Sequence, residues 1–126
     1  MIKKVLIVDD SPIARKILKK CLPDGHGFEL TEAGNGHDGF QLYKEHRPDI
    51  TFLDLTMPVM DGFQALELIK SFNEDAVVIV ATADVQMKTI FRVMDAGALM
   101  VLKKPLTKEA VADALEKAGQ ELVGRG

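Results

Sequence analysis

The sequence predicts an α/β domain built on a doubly wound, five-stranded parallel sheet with about five helices. Short apolar runs rich in β-branched residues alternate with longer segments of helical period, the pattern of successive βαβ units. Two of these runs, Val5–Val8 and Val77–Val80, are apolar throughout, as strands covered on both faces require, which places them centrally. The 126 residues match the size of one domain, and we expect a single unit over residues 1–126 without an effector domain.

The first strand is expected over Lys4–Asp9. Ser11 then reads as an N-cap with Pro12 at the first helical position, and Ile13, Ile17, Leu18, Cys21 and Leu22 form one apolar face. Pro23, Gly25 and Gly27 end that helix. The second strand, Phe28–Ala33, alternates in polarity and suits an edge. Asn35 or Gly36 opens a helix with Phe40 and Tyr43 inward, and Pro48 turns the chain toward a third strand at Ile50–Leu53. Asp61 and Gly62 open the third helix, with Phe63, Leu66 and Ile69 at helical spacing. The fourth strand, Val77–Ala81, leads to a helix opened by Asp84 in which Met87, Ile90 and Met94 line up as a core stripe. Gly97 supplies its left-handed C-terminal position. Leu99–Leu102 is the fifth strand, and Thr107 caps a last helix whose face is Val111, Leu115, Ala118 and Leu122.

Composition excludes several classes of function. A net charge of -3, from 16 basic and 19 acidic residues, provides no electrostatic footprint for a phosphate backbone, so nucleic acid is not an expected direct partner. The apolar run near the start is too short for a signal peptide or a membrane span, and a cytoplasmic location follows as the default expectation. Cys21 has no partner for an internal disulfide and reads as a small apolar residue on a buried helix face. His26, His37 and His46 fall in or near turns and helix ends, positions that suit solvent exposure rather than metal ligation.

Open parallel sheets bind ligands beyond the carboxyl ends of their strands. There the first strand ends in Asp9 and Asp10, the third runs into Asp54, the fourth ends at Thr82, and Lys104 and Pro105 follow the fifth. The first turn, VDDSP, has no glycine-rich phosphate loop, and its two carboxylates would repel a nucleotide, which argues against a dinucleotide site. Gly34-Asn35-Gly36 is read as a plain turn. Converging carboxylates need a cation, and oxygen ligands without His or Cys suit Mg2+, which leaves coordination positions for phosphoryl oxygens. Lys104 and Thr82 would complete a clamp on those oxygens. Asp54, which stands apart from the vicinal pair, is the best placed to form an acyl phosphate. Each residue alone has a plain structural reading, as helix cap, loop carboxylate, strand threonine or solvated lysine. Their convergence depends on the fold.

Four ordered motifs, KVLIVDDS, FLDLTMPVMDG, VIVATAD and AGALMVLKKP, closely resemble the receiver domain of two-component response regulators, including the single-domain chemotaxis type. The resemblance spans nearly the whole chain. It implies a flavodoxin-like receiver fold with strand order 2-1-3-4-5. It further implies that Asp9 and Asp10 organise Mg2+, with Asp10 the more direct ligand, and that Asp54 is the phosphoacceptor. Thr56 would offer its backbone carbonyl to the metal, Thr82 would be the switch hydroxyl, and Lys104, rather than Lys103, would meet a phosphoryl oxygen across a typically cis bond to Pro105. The implied donor is a sensor histidine kinase or a phosphotransfer protein. The implied output is a downstream protein target, unidentified from sequence, that reads the face made by the fourth helix, fifth strand and fifth helix. Such a chain is expected to be no conventional enzyme, although it would assist its own phosphorylation and dephosphorylation, and to be a monomer or weak dimer.

The chain departs from that family's pattern where an aromatic residue often precedes the lysine by three positions: it has Val101 there, and Leu106 after the proline. Val101 motivates an alternative, a constitutive interaction module with the same fold, and a receiver excised from a longer regulator is a further alternative. A hydrolase working through an aspartyl phosphate, as in the haloacid dehalogenase class, would need a second aspartate where this chain has Thr56.

Overall fold

The computed structural model describes residues 2–24 and 26–124, so Gly25 and the chain's extreme ends lie outside the described residues. Ten elements alternate along the chain: β1 (Lys4–Val8), α1 (Pro12–Cys21), β2 (Glu29–Ala33), α2 (Gly36–His46), β3 (Ile50–Leu53), α3 (Gly62–Phe72), β4 (Val78–Thr82), α4 (Met87–Asp95), β5 (Met100–Lys103) and α5 (Lys108–Val123). The strands form one sheet in the order β2-β1-β3-β4-β5, and every neighbouring pair is parallel. The apolar runs that predicted central strands are β1 and β4, and the alternating run is the edge strand β2.

Alternation of side chains about the sheet creates two cores. Val5, Ile7, Phe52 and Ile79 face α1 and α5, where they meet Leu18, Cys21, Val111 and Leu115. Leu6, Val8, Leu53, Val78 and Val80 face the other way, against Tyr43, Leu66, Ile69 and Val93 of α2, α3 and α4. Ser11, Asn35, Asp61 and Thr107 cap their helices as expected, each side chain accepting from a backbone N–H three residues on. Gly97 takes the left-handed position after α4, at φ 107°. His26, His37 and His46 are exposed and Cys21 is buried. No helix among the described residues is long and apolar enough to cross a membrane.

Two helical faces differ from expectation. On α1, Leu18 and Cys21 are buried, but Ile13 is 72% exposed and Ile17 41%. On α4 the buried residues are Thr89 and Val93, while Met87 and Met94 face solvent and Ile90 is half-buried. Asp84 does not cap α4 directly. Its carboxylate accepts from the Gln86 N–H and from the Thr89 hydroxyl, and the helix begins at Met87. That hydroxyl contact gives Thr89 a partner and lets a polar side chain occupy the core side of the helix. The strand limits shift by single residues: β1 stops at Val8, β2 begins at Glu29, β4 runs Val78–Thr82 and β5 runs Met100–Lys103.

Candidate functional site

The carboxyl ends of β1, β3, β4 and β5 deliver the rim residues to one crevice. Asp9 follows β1 directly, its N–H bonded to the Ala33 carbonyl at 3.0 Å, and its Oδ1 accepts from the Ser11 N–H at 2.9 Å. Asp54 follows β3, with its own N–H on the Val8 carbonyl at 2.9 Å. These bonds extend the strand ladders by one rung and hold both carboxylates at fixed height above the sheet. Asp9 and Asp54 are buried, whereas Asp10 points outward into solvent. Oxygens of all three lie within 4.8 Å of one another. With neither His nor Cys in the group, this is a hard-oxygen donor set matched to a small divalent cation.

Lys104 reaches this cluster from the far edge of the sheet. Its Nζ donates to Asp9 Oδ2 at 2.6 Å and stands 3.4 Å from Asp54 Oδ1. The neighbouring Lys103 is exposed, and the Lys104–Pro105 bond is cis. Burial pushes the Asp54 carboxyl above its ordinary range; the Lys104 ammonium pulls it part of the way back, and the Asp9 charge adds to the rise. Lys104 is also held above its ordinary value, because the Asp9 hydrogen bond and the charges of Asp54 and Asp9 outweigh the effect of its own burial. One ammonium thus stands against three carboxylates, and the site carries uncompensated negative charge.

Thr82, the last residue of β4, is buried, and its hydroxyl oxygen accepts from the Asp84 N–H at 3.1 Å. Its own O–H proton is free to point elsewhere. Thr56 lies two residues past Asp54 with its side chain exposed. Beside the carboxylates a cavity of about 410 Å³ opens between α1 and the β5–α5 connection, walled by Ala14, Ile17, Leu18, Phe52 and Leu106.

Three acidic side chains, a hydroxyl and a lysine on the carboxyl edge of a 2-1-3-4-5 parallel sheet agree with a comparison of sequences, in which the family model of the response regulator receiver domain matches residues 5–116. The chain belongs to that family. It is 38% identical to the chemotaxis protein CheY of Halobacterium salinarum over 116 residues, 91% of this chain and 95% of that one. It is equally 38% identical to CheY of Bacillus subtilis over 118 residues, covering 93% and 98% of the two chains. Among solved structures it is similar to one of the CheX-CheY-BeF3-Mg2+ complex from Borrelia burgdorferi, with a TM-score of 0.84 and 34% identity over 90% of this chain and 86% of that one. The chain is therefore a receiver of two-component signalling.

This receiver contains local devices beyond the rim residues. The loop from Asp54 to Gly62 is gripped at both ends by glycine. A Cβ on Gly62 would overlap the Asp54 carbonyl oxygen and stand 2.6 Å from Leu55 Cα, and the Gly62 N–H donates to the Leu55 carbonyl at 2.9 Å. A Cβ on Gly36 would overlap the Met60 carbonyl oxygen, to which the Gly36 N–H donates at 2.9 Å. The Gly34-Asn35-Gly36 segment is therefore more than a turn, because it docks the far end of the Asp54 loop. Between these contacts, Val59 has φ 68° and the Met60 N–H bonds back to the Pro58 carbonyl at 2.8 Å, a tight three-residue turn that is strained for a β-branched residue. The signal for Gly62 was present in its position after the loop, whereas nothing local marks the contact between Gly36 and Met60.

Proposed function

We propose that this chain is a phosphorylation switch that accepts a phosphoryl group on Asp54 from the phosphohistidine of a sensor histidine kinase or a phosphotransfer protein. The observation that carries this reading is the gathering of the buried Asp54 carboxylate with the Lys104 ammonium, at 3.4 Å, and with the Asp9–Asp10 pair. A carboxylate oxygen of Asp54 attacks phosphorus while the bond from phosphorus to the donor imidazole nitrogen breaks, and the imidazole leaves with the electron pair and takes up a proton. Lys104 offers an ammonium to a transferring oxygen, and the free proton of the Thr82 hydroxyl can be donated to another. Asp9, Asp10, Asp54 and the backbone carbonyl of Thr56 are the ligands for Mg2+, which when bound supplies charge neutralisation for the phosphoryl oxygens. Water later cleaves the acyl phosphate, and the chain thereby assists its own dephosphorylation.

The output surface in this reading is the α4-β5-α5 face. Met87, Phe91 and Met94 stand exposed along α4 there, an apolar stripe available to a protein partner. A monomer or weak dimer located in the cytoplasm completes the proposal. Val101 on β5 is half-buried and short, and it supports a second reading, a constitutive interaction module. Incubation with Mg2+ and acetyl phosphate, followed on a phosphate-affinity gel, separates the two. Label that requires Mg2+ and is lost in Asp54→Asn supports the switch; absence of label with Mg2+ bound supports the module.

A further inference from the structure

The Arg15 side chain makes contacts that none of the roles above uses. From α1 its Nη1 donates to the Asp9 backbone carbonyl at 2.5 Å, while its Nε donates to Glu32 Oε1 on the edge strand β2 at 3.0 Å. Lys19, one turn further along α1, donates to the other carboxylate oxygen of Glu32 at 2.9 Å. Lys19 first, and Arg15 after it, hold the Glu32 carboxyl below its ordinary range, so the acceptor of this clamp is an anion at neutral pH.

The consequence falls on the acidic turn. The N–H of Asp9 is on Ala33, its Oδ1 is on the Ser11 N–H, and its Oδ2 is on Lys104. Its carbonyl, which belongs to the peptide leading into Asp10, is held by Arg15 alone among the described residues. Rotation of that peptide would re-aim the Asp10 carboxylate, the one member of the triad that lies in solvent without packing to fix it. We propose that Arg15, locked by Glu32, is a positioning residue that fixes the Asp9–Asp10 peptide so that both carboxylates meet a divalent cation. The inference rests on the reading of Asp9 and Asp10 as metal ligands.

Charge and geometry give opposite signs here, which makes the idea testable. A guanidinium near the site repels a divalent cation, so by charge alone its removal tightens Mg2+ binding. If positioning dominates, its removal weakens binding. Lysine keeps the charge but has a single nitrogen, which cannot serve the Glu32 oxygen and the Asp9 carbonyl from two edges of one plane. The experiment titrates wild type, Arg15→Ala, Arg15→Lys, Glu32→Gln and Asp10→Asn with Mg2+ alone by calorimetry, and follows amide exchange at Asp9 and Ser11 by NMR in EDTA.

The expected result is a weakening of Mg2+ binding by about tenfold in Arg15→Ala, as for other residues that orient metal ligands. Arg15→Lys should be close to Arg15→Ala, Glu32→Gln should fall between them and wild type, and exchange at Ser11 should be faster in all three. Glu32→Gln leaves α1 intact and keeps the test readable should Arg15→Ala fold poorly. Binding by Arg15→Ala equal to or tighter than wild type, or full rescue by lysine, overturns the proposal. A wild type that binds no Mg2+, or binds it as Asp10→Asn does, overturns the metal-site reading itself and the proposal with it.

Discussion

Replacing Asp54 by Asn should stabilise the metal-free fold. Asp54 shares its crevice with two carboxylates whose oxygens lie no more than 4.8 Å away and with one ammonium at 3.4 Å. At an effective dielectric constant of about 20, each carboxylate repels it by about 3.5 kcal/mol, and the lysine attracts it by about 5 kcal/mol. The two repulsions exceed the attraction by about 2 kcal/mol. Solvent around the exposed Asp10 reduces that figure, and burial of Asp54 adds to it. Asparagine removes the charge at nearly constant volume and leaves Lys104 on Asp9 at 2.6 Å. The expected gain is about 1–2 kcal/mol at pH 7 in EDTA, measured by urea denaturation.

The pH dependence provides an independent check. Because the folded-state carboxyl of Asp54 is raised above 3.8, the unfolded chain releases this proton first. The contribution of Asp54 is fully favourable below its unfolded value and is lost as pH rises through the raised folded value. Wild type should therefore lose stability relative to Asp54→Asn across that window and recover it with Mg2+, by about 2.7 kcal/mol at a hundredfold excess over the dissociation constant. An Asn variant no more stable than wild type in EDTA, or one with the same slope against pH, would refute the electrostatic account of the site.

Thr51 is fully buried in β3 with a hydroxyl that has no hydrogen-bond partner among the described residues, so Thr51→Val should stabilise by about 1 kcal/mol and raise the melting temperature by about 3 °C. Gly62→Ala should cost about 2–3 kcal/mol and slow labelling by acetyl phosphate, since its Cβ would strike the backbone of Asp54 and Leu55. Gly119→Ala is the matched control in α5: beyond its chain neighbours and its own helical backbone, no atom of the described residues lies within 4 Å of the added Cβ, and the change should stabilise by about 1 kcal/mol in the same melts. Val59→Gly should relieve the left-handed strain at an 81% exposed side chain, with a gain of up to about 1 kcal/mol in urea melts; a loss would show that Val59 is not strained.

The sheet was legible because its signal is local and redundant. Continuous β-branched runs mark β1 and β4 as central, caps and prolines mark where helices start, and chain length leaves room for five β/α units. The rim followed from the sheet, since parallel strands bring their carboxyl ends to one edge, and the structure does gather Asp9, Asp10, Asp54 and Lys104 there. Helix faces were harder to read. Periodicity finds an apolar stripe but not which arc the sheet covers. On α1 and α4 the stripe is wider than the buried arc, and Ile13, Met87 and Met94 fall outside it. The burial of Thr89 depends on a carboxylate five residues back, and the clamp on Asp9 depends on an Arg15–Glu32 pair 17 residues apart. Such contacts are set by which elements become neighbours, and no local pattern of residue types carries them.

The hydrogen bonds around Thr82 show how the crevice and α4 are mechanically joined. The Thr82 hydroxyl holds the Asp84 N–H, and the two Asp84 carboxylate oxygens hold the Gln86 N–H and the Thr89 hydroxyl. The first turn of α4 has no side-chain cap of its own at Gln86, so these bonds are its anchor. In the proposed switch, a shift of Thr82 Oγ1 toward Asp54 would lengthen its bond to Asp84 and loosen the hold of β4 on that residue. The Asp84 carboxylate would keep its bonds to the Gln86 N–H and the Thr89 hydroxyl, so a displacement of Asp84 would be passed to the first turn of α4, whose Val93 is packed in the core. Met87, Phe91 and Met94 lie on the arc of that helix opposite Thr89 and Val93, so a movement of its first turn would change how they are presented. The exposed stripe that departs from the expected core packing is thus joined to Thr82 by a short chain of hydrogen bonds. A stiff Val101 on β5 does not sever that tie, since none of its bonds passes through β5.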